Sequence, residues 1–305
     1  LNARAIWIAP SGRVRAGWRL LAFLALFGAA WFVFLAIAGF LQPAMALHPN
    51  APRNQIITVL ATVAALLFAH AVMLRFVDHL PWSWVGLGLE AAQPRRWAPA
   101  LLLGALAIAL PSLLLWNAHW LLAEPSVTSV STGRFLLQVT ALLLPAALLE
   151  ELLMRGYPFA VLKDSLGSLG ALIVTSVIFA ALHWRNPGVS ARALLSVALA
   201  GVFLGTVLLV TGSLYAAWAT HFAWNWVMAA LLHTSVSGLP FGAPGWRLVD
   251  AGPDWATGGS WGPEGGAGAF VGMLLSIGWL LRRPEARQWI ASRARSVSST
   301  TEPHG

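Results

Sequence analysis

The chain contains no cysteine and a single lysine, Lys163. The first absence removes disulfides, thiolate metal sites and a cysteine nucleophile together. Charge is also scarce: 10% of 305 residues are charged, 58% are hydrophobic, and the mean hydropathy is +0.72. A soluble domain is excluded by that balance, because most of such a chain must sit in lipid. The net charge of +8 is carried almost wholly by arginine. On a membrane protein it is topogenic and lipid-facing, which argues against a nucleic-acid partner. Three protease signatures are missing as well: His-Glu-x-x-His, Gly-x-Ser-Gly before a buried His, and a paired intramembrane Asp motif. No inverted repeat with two broken helices marks a transporter.

What remains is a succession of apolar runs. Spans are expected at about 20–41, 56–77, 97–122, 135–162, 171–184, 193–210, 214–234 and 267–281, with a probable kink at Pro111 and an amphipathic piece at 82–89. The fold class is therefore all-α: a polytopic membrane protein of about eight transmembrane helices. Eight spans put both termini on one side. The Arg-rich ends, with Arg75, Arg95 and Arg96 in a loop on the same side, place that side in the cytoplasm by the positive-inside rule. A multi-pass protein of the cell inner membrane is the expected localisation. Residues from Ser296 onward read as disordered.

One run is anomalous. Leu148-Leu149-Glu150-Glu151-Leu152-Leu153-Met154-Arg155 carries two carboxylates and a guanidinium inside the fourth span. A charge in a bilayer is costly unless paired or facing a polar cavity, so each is a candidate functional residue. Glu151 and Arg155 are spaced i,i+4 and pair along one face, by a bidentate fork in our expectation. Glu150 is rotated by about 100° and faces something else. Two later spans carry polar residues at the same spacing: Phe179 and His183, then His221 and Asn225. His70, His119 and His233 have no partner at helical spacing and are read as structural. Gly201 and Gly205 mark close helix packing.

Glu-Glu-x-x-x-Arg, Phe-x-x-x-His and His-x-x-x-Asn, in that order on three spans, resemble the CPBP family of intramembrane proteases (CAAX-protease and bacteriocin-processing, or Abi). The likeness covers about 136–232. Thr257 to Gly265, with the run Gly262-Pro263-Glu264-Gly265, is similar to a segment of bacterial members. The resemblance implies a four-helix catalytic core and makes Glu150, His183 and His221, with Asn225 alongside, the functional residues. The chain then divides into helices 1–3 with a basic arm (1–135), the core (136–234), an extracytoplasmic Gly/Pro/Trp loop (235–266), and a last helix with a basic tail (267–305).

Peptide hydrolysis needs an activated water, oxyanion donors and a proton for the leaving amine. Glu150 is expected to be desolvated and to act as general base, with His183 holding the same water. His221 and Asn225 are expected to stabilise the oxyanion, and Arg155 to neutralise Glu151. No cofactor is expected. Zinc on Glu150, His183 and His221 is the alternative mechanism, and a non-proteolytic scaffold or bacteriocin-immunity protein of the same fold is the alternative function. For His221, only about two turns into its span, a cavity from the cytoplasmic side is expected. Arginine in place of lysine, with abundant Ala, Gly and Trp, points to a high-GC bacterium, where prenylation is not expected. The expected substrate is therefore a membrane-embedded or membrane-associated peptide, such as a leader.

Overall fold

A computed structural model describes residues 7–8, 12–43, 45, 48 and 50–286. The tail with Arg287, Arg293 and Arg295, and the stretch from Ser296 expected to be disordered, lie outside these residues. The helices are α1 (Ala16–Leu41), α2 (Pro52–Val72, running on as a π-turn to Asp78), α3 (Pro94–Asn117) and α4 (Thr132–Arg155). They continue as α5 (Tyr157–Leu182), α6 (Ala191–Thr211), α7 (Leu214–Trp226, extended by a π-turn to Leu231) and α8 (Ala267–Leu281). Among the described residues, five helical stretches are long and apolar enough to cross a membrane, the longest being Thr132–Leu182. Large apolar side chains point outward on many helices, among them Phe40, Leu114, Leu137, Val177 and Leu275. So much exposed hydrocarbon is a liability in water and the required surface in lipid. The protein is a mostly helical, polytopic membrane protein.

The Thr132–Leu182 stretch is not one rod. The helical pattern stops at Gly156, whose ψ is −130°, and stops again at Gly167, at φ +73° and ψ 171°. Gly167 occupies a conformation that a Cβ disfavours. Glu150 and His183 would be roughly 50 Å apart on an unbroken helix, yet both line a single cavity. The two breaks fold the chain back. The expected fourth span, 135–162, is thus corrected: α4 ends at Arg155 because Gly156 leaves helical geometry. α3, by contrast, runs on through Pro111.

The break is held at a defined depth. Tyr157 donates its amide to His70 Nε2 at 2.9 Å, while His70 Nδ1–H donates to the Leu66 carbonyl at 2.7 Å. The Tyr157 hydroxyl donates to Asp78 at 2.5 Å, and Asp78 pairs with Arg19 at 2.9 Å. His70 lies about 27 Å along α2 from Pro52 and about 12 Å from Asp78. Glu150, less than two turns above the break on α4, therefore sits near the middle of the bundle. The structural reading of His70 holds.

α6 and α7 are joined by Gly212 and Ser213. Gly212 takes the left-handed conformation as C-cap, and the Ser213 hydroxyl accepts from Ala216 N as N-cap. So short a turn makes the two helices antiparallel neighbours. α7 also lies hard against α3: a Cβ on Gly104 would stand 2.2 Å from the Thr220 carbonyl oxygen. Gly201 and Gly205 pack on Ser176 and Leu172 of α5, as their spacing predicts. At one end of the bundle, β1 (Leu121–Ser126) pairs antiparallel with β2 (Gly245–Asp250), with Leu121 opposite Asp250. We call this the loop end. The opposite end carries Arg13, Arg15, Arg75, Arg95, Arg96 and Arg283 and is called the arginine end.

Candidate active site

Three helices bring the polar residues together. α4 supplies Glu150, Glu151 and Arg155, α5 delivers His183 at its C-terminus, and α7 carries His221 and Asn225. Glu150, His183, His221 and Asn225 all line one cavity of about 510 Å³. The sequence-predicted constellation is assembled in space.

Within it the two glutamates differ sharply. The Glu151 side chain is 0% exposed. Its Oε1 accepts from Arg155 Nη1 at 3.2 Å and from His221 Nδ1 at 2.9 Å. Glu150 keeps 34% of its side chain exposed, and its Oε2 lies 3.7 Å from His221 Nε2. Two expectations are thereby corrected. Glu150, expected to be desolvated, is the more exposed member of the pair, because the helical turn that aims Glu151 into the α6–α7 packing aims Glu150 into the cavity. Nor does Arg155 clamp Glu151 by a bidentate fork: its second nitrogen donates to the Gly201 carbonyl at 3.1 Å. The guanidinium carbon also lies 4.5 Å from the centroid of the Phe179 ring. One cation thus ties α4 to α6 and α5.

The His183 Nδ1–H donates to the Phe179 carbonyl at 2.8 Å, which fixes the tautomer and leaves Nε2 for the cavity. The ring also meets Phe179 edge-on at 4.9 Å, so the Phe-x-x-x-His spacing works as a positioning device. His221 bridges the two carboxylates, with Nδ1 on Glu151 Oε1 and Nε2 3.7 Å from Glu150 Oε2. Among the described residues, no three His, Asp or Glu side chains are gathered to hold a metal ion.

Sequence reasoning missed one acid at this site. Glu264, in the 3₁₀ turn Pro263–Gly265, also lines the cavity and is buried. It accepts from Trp224 Nε1 at 3.0 Å and from the Ser237 amide. Burial pushes its carboxyl above the ordinary range, opposed by these two donors. Its backbone carbonyl accepts from the Ser196 hydroxyl, and Asn186 donates to the Ser237 carbonyl at 2.9 Å. The 235–266 loop is therefore pinned onto α6 and α7 as a wall of the cavity. Trp224 is part of that wall, whereas Trp184 is 60% exposed. The available signal was a lone acid in a Gly/Pro turn, inside a segment already noted for its likeness to bacterial proteins.

The cavity has an open and a closed end. Gln55 and Leu239 at the loop end are exposed, while His221 and Glu151 at the floor are buried. Beneath the floor lies the Glu151–Arg155–Gly201 plug, and beneath that the His70–Tyr157 contact. The open end is thus the loop end.

Comparison with curated proteins and with solved structures returns no match. A family model does match: residues 132–227 correspond to the type II CAAX prenyl endopeptidases described as Rce1-like. That segment contains Glu150, Glu151, Arg155, His183, His221 and Asn225 and stops short of Glu264. Residues 132–227 are thus similar to the Rce1-like type II CAAX prenyl endopeptidases, which are of the CPBP family.

Proposed function

We propose that this protein is an intramembrane endopeptidase that hydrolyses a peptide bond with a water activated by Glu150. The observation that carries the reading is the division of labour between adjacent glutamates. One is sealed with Arg155 and His221, and the other faces the cavity together with His183 and Asn225.

In the reaction, Glu150 takes a proton from a water held also by His183 Nε2. The hydroxide adds to the scissile carbonyl, forming the C–O bond. The oxyanion accepts hydrogen bonds from the Asn225 amide and from Nε2–H of His221, which acts as the imidazolium with its ring oriented by Nδ1–H donation to Glu151. Collapse breaks the C–N bond, and the leaving amine takes its proton from Glu150, which returns to carboxylate. Glu151 and Arg155 touch no substrate atom and act by holding His221.

The test compares membrane-peptide proteomes of cells carrying the wild-type protein and Glu150→Gln, with melting curves of both purified proteins. New peptide termini that depend on Glu150, at unchanged stability, support the reading. Identical proteomes with a well-folded variant would leave the site a structural polar cluster.

A further inference from the structure

We propose that the cavity is loaded from the extracytoplasmic side, so that its substrate is an exported or membrane-anchored polypeptide presenting a short, extended, apolar segment at the loop end. This rests on the hydrolytic reading for the substrate's fate, but the direction of entry stands on separate observations.

The walls decide the direction. Nearest the opening they come from the first two turns of α2 (Gln55, Thr58, Val59) and from the loop (Ser237, Leu239, Phe241). From there the cavity descends to Glu150 and His221 near the middle of the bundle. On the far side of that floor a second cavity, of about 460 Å³ and lined by Trp84, Arg155, Lys163 and Gly167, stops at Arg155 and shares no lining residue with the first. Glu151 and Arg155, fully buried, separate the two, Arg155 reaches the Gly201 carbonyl, and the Arg19–Asp78–Tyr157 cluster lies nearer the arginine end. No wall residue comes from the arginine-end connections 79–93 or 163–170.

Charge orients the bundle. Arg13, Arg15, Arg75, Arg95, Arg96, Lys163, Arg282 and Arg283 gather at the closed end, against Arg53, Arg134, Arg185, Arg192 and Arg247 at the open end. The excess sits at the closed end, which the positive-inside rule assigns to the cytoplasm.

The shape selects the substrate. A volume of about 510 Å³ is that of a pocket for a small ligand. It admits a few residues of extended chain and no folded domain. Leu142, Leu143, Val197, Phe203 and Leu239 make most of its walls apolar, which favours side chains drawn from a membrane anchor or a signal-like segment. A prenylated C-terminus of a cytoplasmic protein would meet the closed end.

The absence of cysteine makes a direct test possible. Ala146→Cys and Ala200→Cys place one thiol each beside the floor, on α4 and α6. Glu90→Cys, on a residue 72% exposed, marks the arginine end. Each is treated with a small cationic, membrane-impermeant methanethiosulfonate in right-side-out and inverted vesicles. The expected result is modification of both floor thiols at least about tenfold faster in right-side-out vesicles, with Glu90→Cys showing the reverse. Faster floor modification in inverted vesicles, or none from either side, overturns the proposal. Neither outcome touches Glu150-dependent cleavage, so a wrong direction of entry and a wrong catalytic reading give different results.

Discussion

The buried Arg155 offers a quantitative test of how the floor is held. Replacing it with Met leaves the Glu151 carboxylate without a cation at 0% exposure and the Gly201 carbonyl without its donor. Removing one partner of a buried ion pair costs about 3–5 kcal/mol, most of it for the stranded charge. For a chain of this size that lowers the melting temperature by roughly 5–8 °C. The stranded charge is then removed by adding Glu151→Gln, whose carbonyl oxygen still accepts from His221 Nδ1–H. The double variant should recover most of that loss and end about 1–3 kcal/mol below wild type, because neither buried charge remains but the Gly201 carbonyl still lacks its donor. Arg155→Lys should fall between, losing about 1–3 kcal/mol, since one ammonium cannot reach both the carboxylate and the Gly201 carbonyl. The assay is thermal unfolding in detergent followed by intrinsic fluorescence of the 17 tryptophans. A single Arg155→Met variant that loses less than about 1 kcal/mol, or a double variant as unstable as the single, would refute the stranded-charge account.

Asn225→Ala should lower turnover by about 10²–10³-fold with little loss of stability, the usual effect of removing one oxyanion donor; a tenfold smaller effect would reassign Asn225 to packing. Activity should survive exhaustive chelation, measured as continued appearance of Glu150-dependent termini in treated membranes; loss that zinc restores would establish the metal alternative. Gly104→Ala should push α3 from α7 and shift His221, because the new methyl would meet the Thr220 carbonyl at 2.2 Å. A displacement of about 1 Å at the site costs around 10²-fold in rate, read as fewer Glu150-dependent termini, and wild-type activity would show the interface to be softer than its geometry.

The spans were legible because the bilayer enforces a simple rule: each crossing must be long and apolar, so composition along the chain maps onto helices. The α4 constellation was legible for the opposite reason, since Glu150, Glu151 and Arg155 violate that rule and need partners. The helical angle between adjacent residues also foretold that Glu151 and Glu150 face different neighbours. Which of them stays exposed to the cavity was not legible, because that depends on the α6–α7 packing about Gly201 and His221. Nor were the fold-back at Gly156 and Gly167 or the β1–β2 pairing, where Pro125 interrupts any strand-like run. Glu264 was hidden for a related reason. Its role is fixed by the Trp224 indole and the Ser237 amide, 40 and 27 residues away, and no local periodicity announces such contacts.

The β1–β2 pairing bears on when the molecule can begin to act. Glu124 and Arg247, 3.5 Å apart across the ribbon, are separated by 123 residues, so the ribbon closes only after nearly the whole chain has emerged. Synthesis proceeds from the N-terminus, and α4 enters the bilayer with its carboxylates long before α7 brings His221. The wall containing Glu264 arrives later still, just ahead of α8. During that interval the nascent protein carries an acid pair with neither the imidazole that completes the floor nor the loop that shapes the mouth. The hydrolytic site proposed above is thereby complete only when the last helix is in place.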